Sequence, residues 1–76
     1  MSVSSEQRSD TLVAIKVDQP SSTIIYVGEA AIASLASEAV WRIKKIDTTS
    51  GVIITWADGD SQFDNVWNDR TTITYT

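Results

Sequence analysis

Hydrophobic and polar residues alternate along much of this chain with the two-residue period of β-strands. Residues 11–17 and 23–27 show this pattern first, and we predict a strand over each, the second ending at Gly28. Val, Ile and Thr fill 25 of the 76 positions, a composition that suits the pleated, half-buried surface of a sheet. The pattern therefore predicts a β-rich fold.

The clearest pair of predicted strands forms a hairpin with a five-residue turn and covers residues 40–46 and 52–57. The predicted register places Ile43 opposite Ile54 and Trp41 opposite Trp56, so that one face of the hairpin is apolar throughout. A slip of one residue would scatter that face between the two sides of the sheet.

Two other segments have weaker patterns. Residues 29–39 are rich in alanine but short, and they predict a loop with one or two helical turns. Asp58 and Gly59 predict a turn. Phe63 and Trp67, four residues apart, would share one face of a helical turn beyond it.

The chain ends in a predicted strand over residues 71–76. We therefore predict an all-β fold, a small antiparallel five-strand barrel or sandwich, with a polar N-terminal arm over residues 1–10 and one domain over residues 11–76. The side chains expected in its core are Trp41, Ile43, Val52, Ile54, Trp56, Phe63, Trp67, Ile73 and Tyr75.

Composition argues against catalysis and cofactors. The chain has no histidine and no cysteine, so it lacks the commonest general base, the commonest metal ligand and any disulfide. No base accompanies its serines and threonines, and its three glycines form no phosphate-binding loop. We expect neither enzyme activity nor a cofactor.

Charge and hydropathy argue against two classes of partner, nucleic acid and membrane. The net charge of −4 disfavours nucleic acid, and no apolar stretch approaches the roughly 20 residues of a membrane span. The N-terminal residues lack the apolar run of a signal peptide, so we expect a soluble protein made in a cytoplasm, with neither nucleic acid nor membrane as partner.

Acidic and aromatic residues offer two further possibilities for ligand binding. Asp58, Asp60, Asp64 and Asp69 do not have the spacing of a helix–loop–helix calcium site, and we expect them mainly in turns. The three tryptophans are expected in the core rather than on a sugar-binding platform, because each can bury on the order of 150–250 Å² in a small domain.

Consecutive apolar residues within strands predict an interface. Such strands expose apolar side chains on both faces of a sheet unless a partner covers one of them. A basic cluster of one copy could also face the acidic residues of a neighbouring copy, and we expect a homo-oligomer. The expected interface residues are Ile24, Tyr26, Ile53, Arg42, Lys44 and Lys45.

Short motifs in residues 23–75 resemble those of a family of small proteins encoded by tailed bacteriophages. The motifs are Y-x-G-x-A from Tyr26, W-x-I from Trp41, W-A-D-G from Trp56, F-D-x-x-W from Phe63 and a closing aromatic at Tyr75. The family often has Pro-Gly after the first motif, where this chain has Ala-Ile, which keeps a short helix over residues 29–39 as an alternative to a loop.

The resemblance implies a phage origin and a place in the virion, after assembly in the host cytoplasm. The leading hypothesis is therefore a virion structural protein of the capsid, neck, tail or fibre that docks on other virion proteins. The alternatives are a carbohydrate- or receptor-binding module of a host-recognition apparatus, and a non-virion phage protein that binds a host factor.

Overall fold

The computed structural model describes residues 14–76, so the predicted N-terminal arm and the first residues of the predicted first strand lie outside it. Five strands and one short 3-10 helix follow along the chain. They are β1 (Ala14–Asp18), β2 (Ile24–Ala30), β3 (Ala39–Asp47), β4 (Ile53–Trp56), β5 (Asn65–Val66) and a 3-10 helix over Trp67–Asp69.

The strands form one antiparallel sheet in the order β1-β2-β3-β4, and β5 pairs with the beginning of β3. The prediction of an all-β, antiparallel fold is confirmed. The part of the expectation that is wrong is closure, since the strands of residues 14–76 leave the sheet open instead of forming a barrel.

The core lies on one face of this sheet. Its buried apolar residues are Ala30, Trp41, Ile43, Ala57 and Trp67. The chain after β4 covers that face, since Trp67 packs on Trp41 at 6.0 Å between ring centroids, and Ile73 and Tyr75 pack against the buried cluster. The last dozen residues of the chain therefore cover the buried side chains of the sheet.

Close approach of the chain makes glycine necessary in the middle of β2. A Cβ atom at Gly28 would lie 2.5 Å from a ring carbon of Trp67 and 3.1 Å from a ring carbon of Trp41. Gly28 does not end the strand, as the sequence suggested, because β2 continues through it to Ala30. The glycine makes room for the two indoles.

The hairpin forms, but its predicted register is wrong by three residues. Ile46 lies opposite Ile54 and Lys44 opposite Trp56. A loop over residues 48–52 separates the strands, because the Asp47 side chain accepts a hydrogen bond of 2.9 Å from the Thr49 amide, which lowers the pKa of Asp47. An odd shift in register moves every side chain of β4 to the other face.

That shift overturns part of the expected core. Ile54 is 51% exposed because it lies on the face opposite to Trp41, and Val52 is 72% exposed because it falls in the hairpin loop. Trp56, on the same face as Ile54, is only half-buried.

Two other local predictions differ from the structure. Phe63 is exposed and joins no helical turn, because the chain at Asn65–Val66 is extended and pairs with β3. Only Tyr75 of the predicted last strand makes a bridge, to Ala57. Of the two alternatives for residues 29–39, the loop forms between the strands, since residues 31–38 are turns without a helix, with Ala33 at a φ of 69°.

Candidate functional site

The strand register sorts the side chains into two faces. Gly28 and Ile43 are paired and lie on the face that Trp67 covers, which we call the covered face. The alternating positions form the open face. Its residues are Ile15 and Val17 of β1, Ile25, Val27 and Glu29 of β2, Arg42, Lys44 and Ile46 of β3, and Ile54 and Trp56 of β4.

Apolar residues fill most of the open face. Ile25, Ile46 and Ile54 lie directly opposite one another across three strands and form one row. Ile15 and Val17 on β1 are 61% and 65% exposed. Neither the buried cluster nor the residues packed against it include any member of this face, so the fold of residues 14–76 does not use it as a core.

A charged group occupies the end of the open face away from the isoleucine row. Glu29 lies opposite Arg42, and the Arg42 Nε donates to a carboxylate oxygen of Glu29 at 3.0 Å. The Arg42 guanidinium lies 4.7 Å from the ring centroid of Phe63 and 5.6 Å from that of Trp56. The arginine is therefore neutralised by one neighbour and held by two aromatic rings.

Lys44 is the other cation of this face. Its ammonium group lies 5.8 Å from the Trp56 ring centroid, and no ion pair of Lys44 is found within residues 14–76. The two aromatic residues at this end, Trp56 and Phe63, were expected in the core. The wrong hairpin register placed Trp56 on the core side, and the helical turn predicted around Phe63 does not form.

The structure divides the six expected interface residues between the two faces. Arg42 and Lys44 lie on the open face, but Lys45 lies on the covered face, 5.3 Å from the Tyr75 ring centroid. The expected cluster of three cations is therefore wrong, because consecutive residues of a strand point to opposite sides.

The three apolar members of that set all lie on the covered face, so none of them belongs to the open face. Tyr26 packs against Tyr75, with 5.6 Å between ring centroids, and Ile24 is on the same side of β2. Ile53 pairs with Asp47 on the same face and is 55% exposed at the hairpin end.

Two further exposed apolar residues lie in the loop before β3. Ile32 is 74% exposed and Leu35 61%. The turns of residues 31–38 place both outside the core. This pair is smaller than the open face and belongs to an irregular segment.

Two titratable side chains of the described residues, Tyr75 and Asp60, make hydrogen bonds within the fold. Burial raises the pKa of Tyr75 to about 12, and its hydroxyl donates to the Arg70 carbonyl at 2.8 Å. Asp60 accepts a hydrogen bond from the Gln62 amide, as expected of a turn aspartate. Residues 14–76 contain no cluster of three acidic side chains placed to hold a metal ion.

Two of the three tryptophans are closed to ligands. Trp41 is fully buried, with its Nε1 donating to the Leu35 carbonyl at 2.9 Å, and Trp67 is 6% exposed. Trp56 is the one indole at the surface, and two cations lie over it. This arrangement gives little support to a sugar-binding platform.

Residues 14–76 thus form a small antiparallel β-sheet with one face covered by the chain after β4 and the other outside the buried core. Comparison with protein-family models, curated proteins and solved structures found no match for this chain. Among residues 14–76 there is also no helix of the length and hydropathy required to cross a bilayer.

Proposed function

We propose that this protein is a structural component of a phage particle and works by docking on other proteins through its open face. The observation that carries the proposal is the apolar surface of that face, which residues 14–76 leave outside their buried core. The mechanism is binding alone, and no reaction is catalysed.

The size of the open face supports docking. Four strands about 4.8 Å apart and five residues at about 3.4 Å each give a projected area on the order of 300 Å². Apolar patches of roughly 300–600 Å² are the largest on ordinary monomers and often mark interaction sites. A partner that docks on such a patch would remove the exposed isoleucines from water.

The composition of the face also suits an interface. The isoleucine row at one end is aliphatic, the Glu29–Arg42 pair lies at the other end, and Lys44 and Trp56 lie in the row between them. Arginine and tryptophan are enriched at protein interfaces. The placement in a virion rests on the resemblance of the sequence motifs to small proteins of tailed phages.

The test is incorporation into particles. The phage that encodes the chain would be grown with wild-type, Ile54→Lys or Ile32→Lys protein, and the chain quantified in purified particles. We expect structural stoichiometry for the wild type, strong loss for Ile54→Lys, and little change for Ile32→Lys, an exposed isoleucine outside the open face.

Two outcomes would contradict the proposal. Absence of the wild-type chain from purified particles would remove the virion assignment. Normal incorporation of Ile54→Lys, or selective loss of Ile32→Lys, would show that the open face is not the docking surface.

A further inference from the structure

We infer that the partner on the open face is a second copy of this chain, packed face to face so that two open sheets form one two-layer sandwich. The inference rests on the proposed docking function and specifies its occupant. It follows from the order of side chains on the open face, which is self-complementary about one two-fold axis.

The axis runs parallel to the strands, midway between β2 and β3. It places β2 of one copy over β3 of the other, and β1 over β4, in the isologous arrangement of a two-fold dimer. Ile25 then faces Ile46 of the second copy, since these two residues are paired within each sheet. Val17 and Trp56 correspond in the same way, because both lie in the row of Lys44.

The same operation matches the charges. Glu29 and Arg42 are directly opposite in one sheet, so the axis brings Glu29 of each copy over Arg42 of the other. Two carboxylates and two guanidinium groups would then alternate, and each could pair within its own copy and across the interface. Other two-fold axes in the plane of the interface would not exchange these two residues.

Lys44 is the one uncompensated charge, and the axis places it over Val27 of the second copy. Lys44 lies in the middle row, beside the axis, so its aliphatic stem packs on that valine and its ammonium group stays near the Trp56 ring of its own copy, 5.8 Å from the centroid. An unpaired lysine and a small face indicate a modest affinity, as in interfaces below about 1,200 Å² in total.

Sheet geometry is compatible with this packing. Two sheets in a sandwich stack about 10 Å apart, with strand directions within about 30°. A second copy offers a sheet of identical width and twist, and its row of three isoleucines supplies the aliphatic side chains that the first copy lacks above its own row.

A charge-swap experiment on the full-length chain tests the pairing between copies. Glu29→Arg alone and Arg42→Glu alone each place like charges across the interface, and we expect each to weaken dimerisation at least about tenfold in sedimentation equilibrium. An equimolar mixture of the two variants should restore it, because a heterodimer has opposite charges at both contacts.

The mixture separates contacts between copies from contacts within a copy. Each variant chain keeps two like charges at positions 29 and 42, so restored association cannot come from the internal ion pair. Circular dichroism would check that both variants fold. Should either unfold, Val17→Lys tests the same interface at an exposed margin residue, because it adds a second cation to the row of Lys44, and we expect dimerisation to be lost.

Three results would overturn the inference: a wild-type chain that stays monomeric at millimolar concentration, single variants that dimerise like the wild type, or a mixture that fails to restore association. If the chain is monomeric but Ile54→Lys still abolishes incorporation into particles, the docking function stands and its partner is a different protein.

Discussion

The two faces of β3 have similar apolar sequences but very different surroundings. Trp41 and Ile43 on the covered face are fully buried, whereas Ile46 on the open face is only partly shielded and its neighbour Ile54 is half-exposed. The difference comes from what lies above each face. The chain after β4 folds over one side of the sheet and supplies Trp67 and Tyr75 to it.

The apolar character of a strand face does not decide whether the face becomes core. A face becomes core when another part of the chain packs on it, and here that part is distant in sequence. One face therefore supports folding, and we propose that the other docks a partner.

The covered face should be most sensitive at Trp41. Trp41→Ala removes a fully buried indole and its hydrogen bond to the Leu35 carbonyl, and we expect the free energy of unfolding to fall by about 3–5 kcal/mol. Urea unfolding followed by circular dichroism measures this. Trp56→Ala, on the open face, is the control and should cost clearly less; equal losses would contradict the division.

Overpacking at Gly28 should have the next largest effect. Gly28→Ala places a methyl group within van der Waals radii of the Trp67 and Trp41 rings, so the indoles must move. We expect a loss of about 1–3 kcal/mol in the free energy of unfolding, with a changed near-ultraviolet dichroism signal. A variant as stable as the wild type would mean that Trp67 does not pack tightly on β2.

Tyr75 should make stability depend on alkaline pH. Burial raises its pKa from 10 to about 12, so the folded state favours the protonated phenol. Its contribution is present below pH 10 and is lost as the pH rises toward 12. Since the ring is partly exposed, we expect a change of only about 1 kcal/mol.

The comparison with Tyr75→Phe isolates this effect from the titration of lysines. The wild type should be more stable than the variant at pH 8, because the hydroxyl donates to the Arg70 carbonyl. That advantage should shrink between pH 10 and pH 12 in urea titrations. A constant difference across this range would show that Tyr75 titrates normally.

Arg42 should have the smallest effect on stability. Arg42→Lys keeps the charge opposite Glu29 but removes the planar group between Trp56 and Phe63. We expect a loss of about 0.5–1 kcal/mol, together with a change in Trp56 fluorescence. An unchanged emission spectrum would indicate that the arginine does not hold the indole.

Part of this structure could be predicted from the sequence. Strand alternation predicted the β2, β3 and β4 segments, and the strong apolar character of Trp41, Ile43 and Trp67 placed them in the interior. The register of the hairpin could not be predicted in the same way. Both faces of β4 are apolar, so burial did not distinguish Ile54 from Ile53, and the turn chemistry of Asp47 and Thr49 set the pairing.

The open face was predicted only in outline. Consecutive apolar residues such as Val52, Ile53 and Ile54 predicted a partner for the sheet, but only Ile54 lies on the open face, since Val52 falls in the hairpin loop and Ile53 lies on the covered face. Which side is uncovered depends on the path of residues 65–76, which follows from the Tyr75 bridge to Ala57 rather than from any local pattern. The contacts of Trp56 and Phe63 with Arg42 also join residues distant in sequence, so no local pattern predicted them.

The most direct test of the central claim compares Ile43→Thr with Ile46→Thr. The residues lie on one strand, three positions apart and on opposite faces, and both changes keep a β-branched side chain. Unfolding free energy and sedimentation equilibrium would be measured on the same samples. We expect Ile43→Thr to lose about 2–4 kcal/mol, and Ile46→Thr to lose under about 1 kcal/mol while weakening self-association. Equal losses of stability with unchanged association would contradict the account.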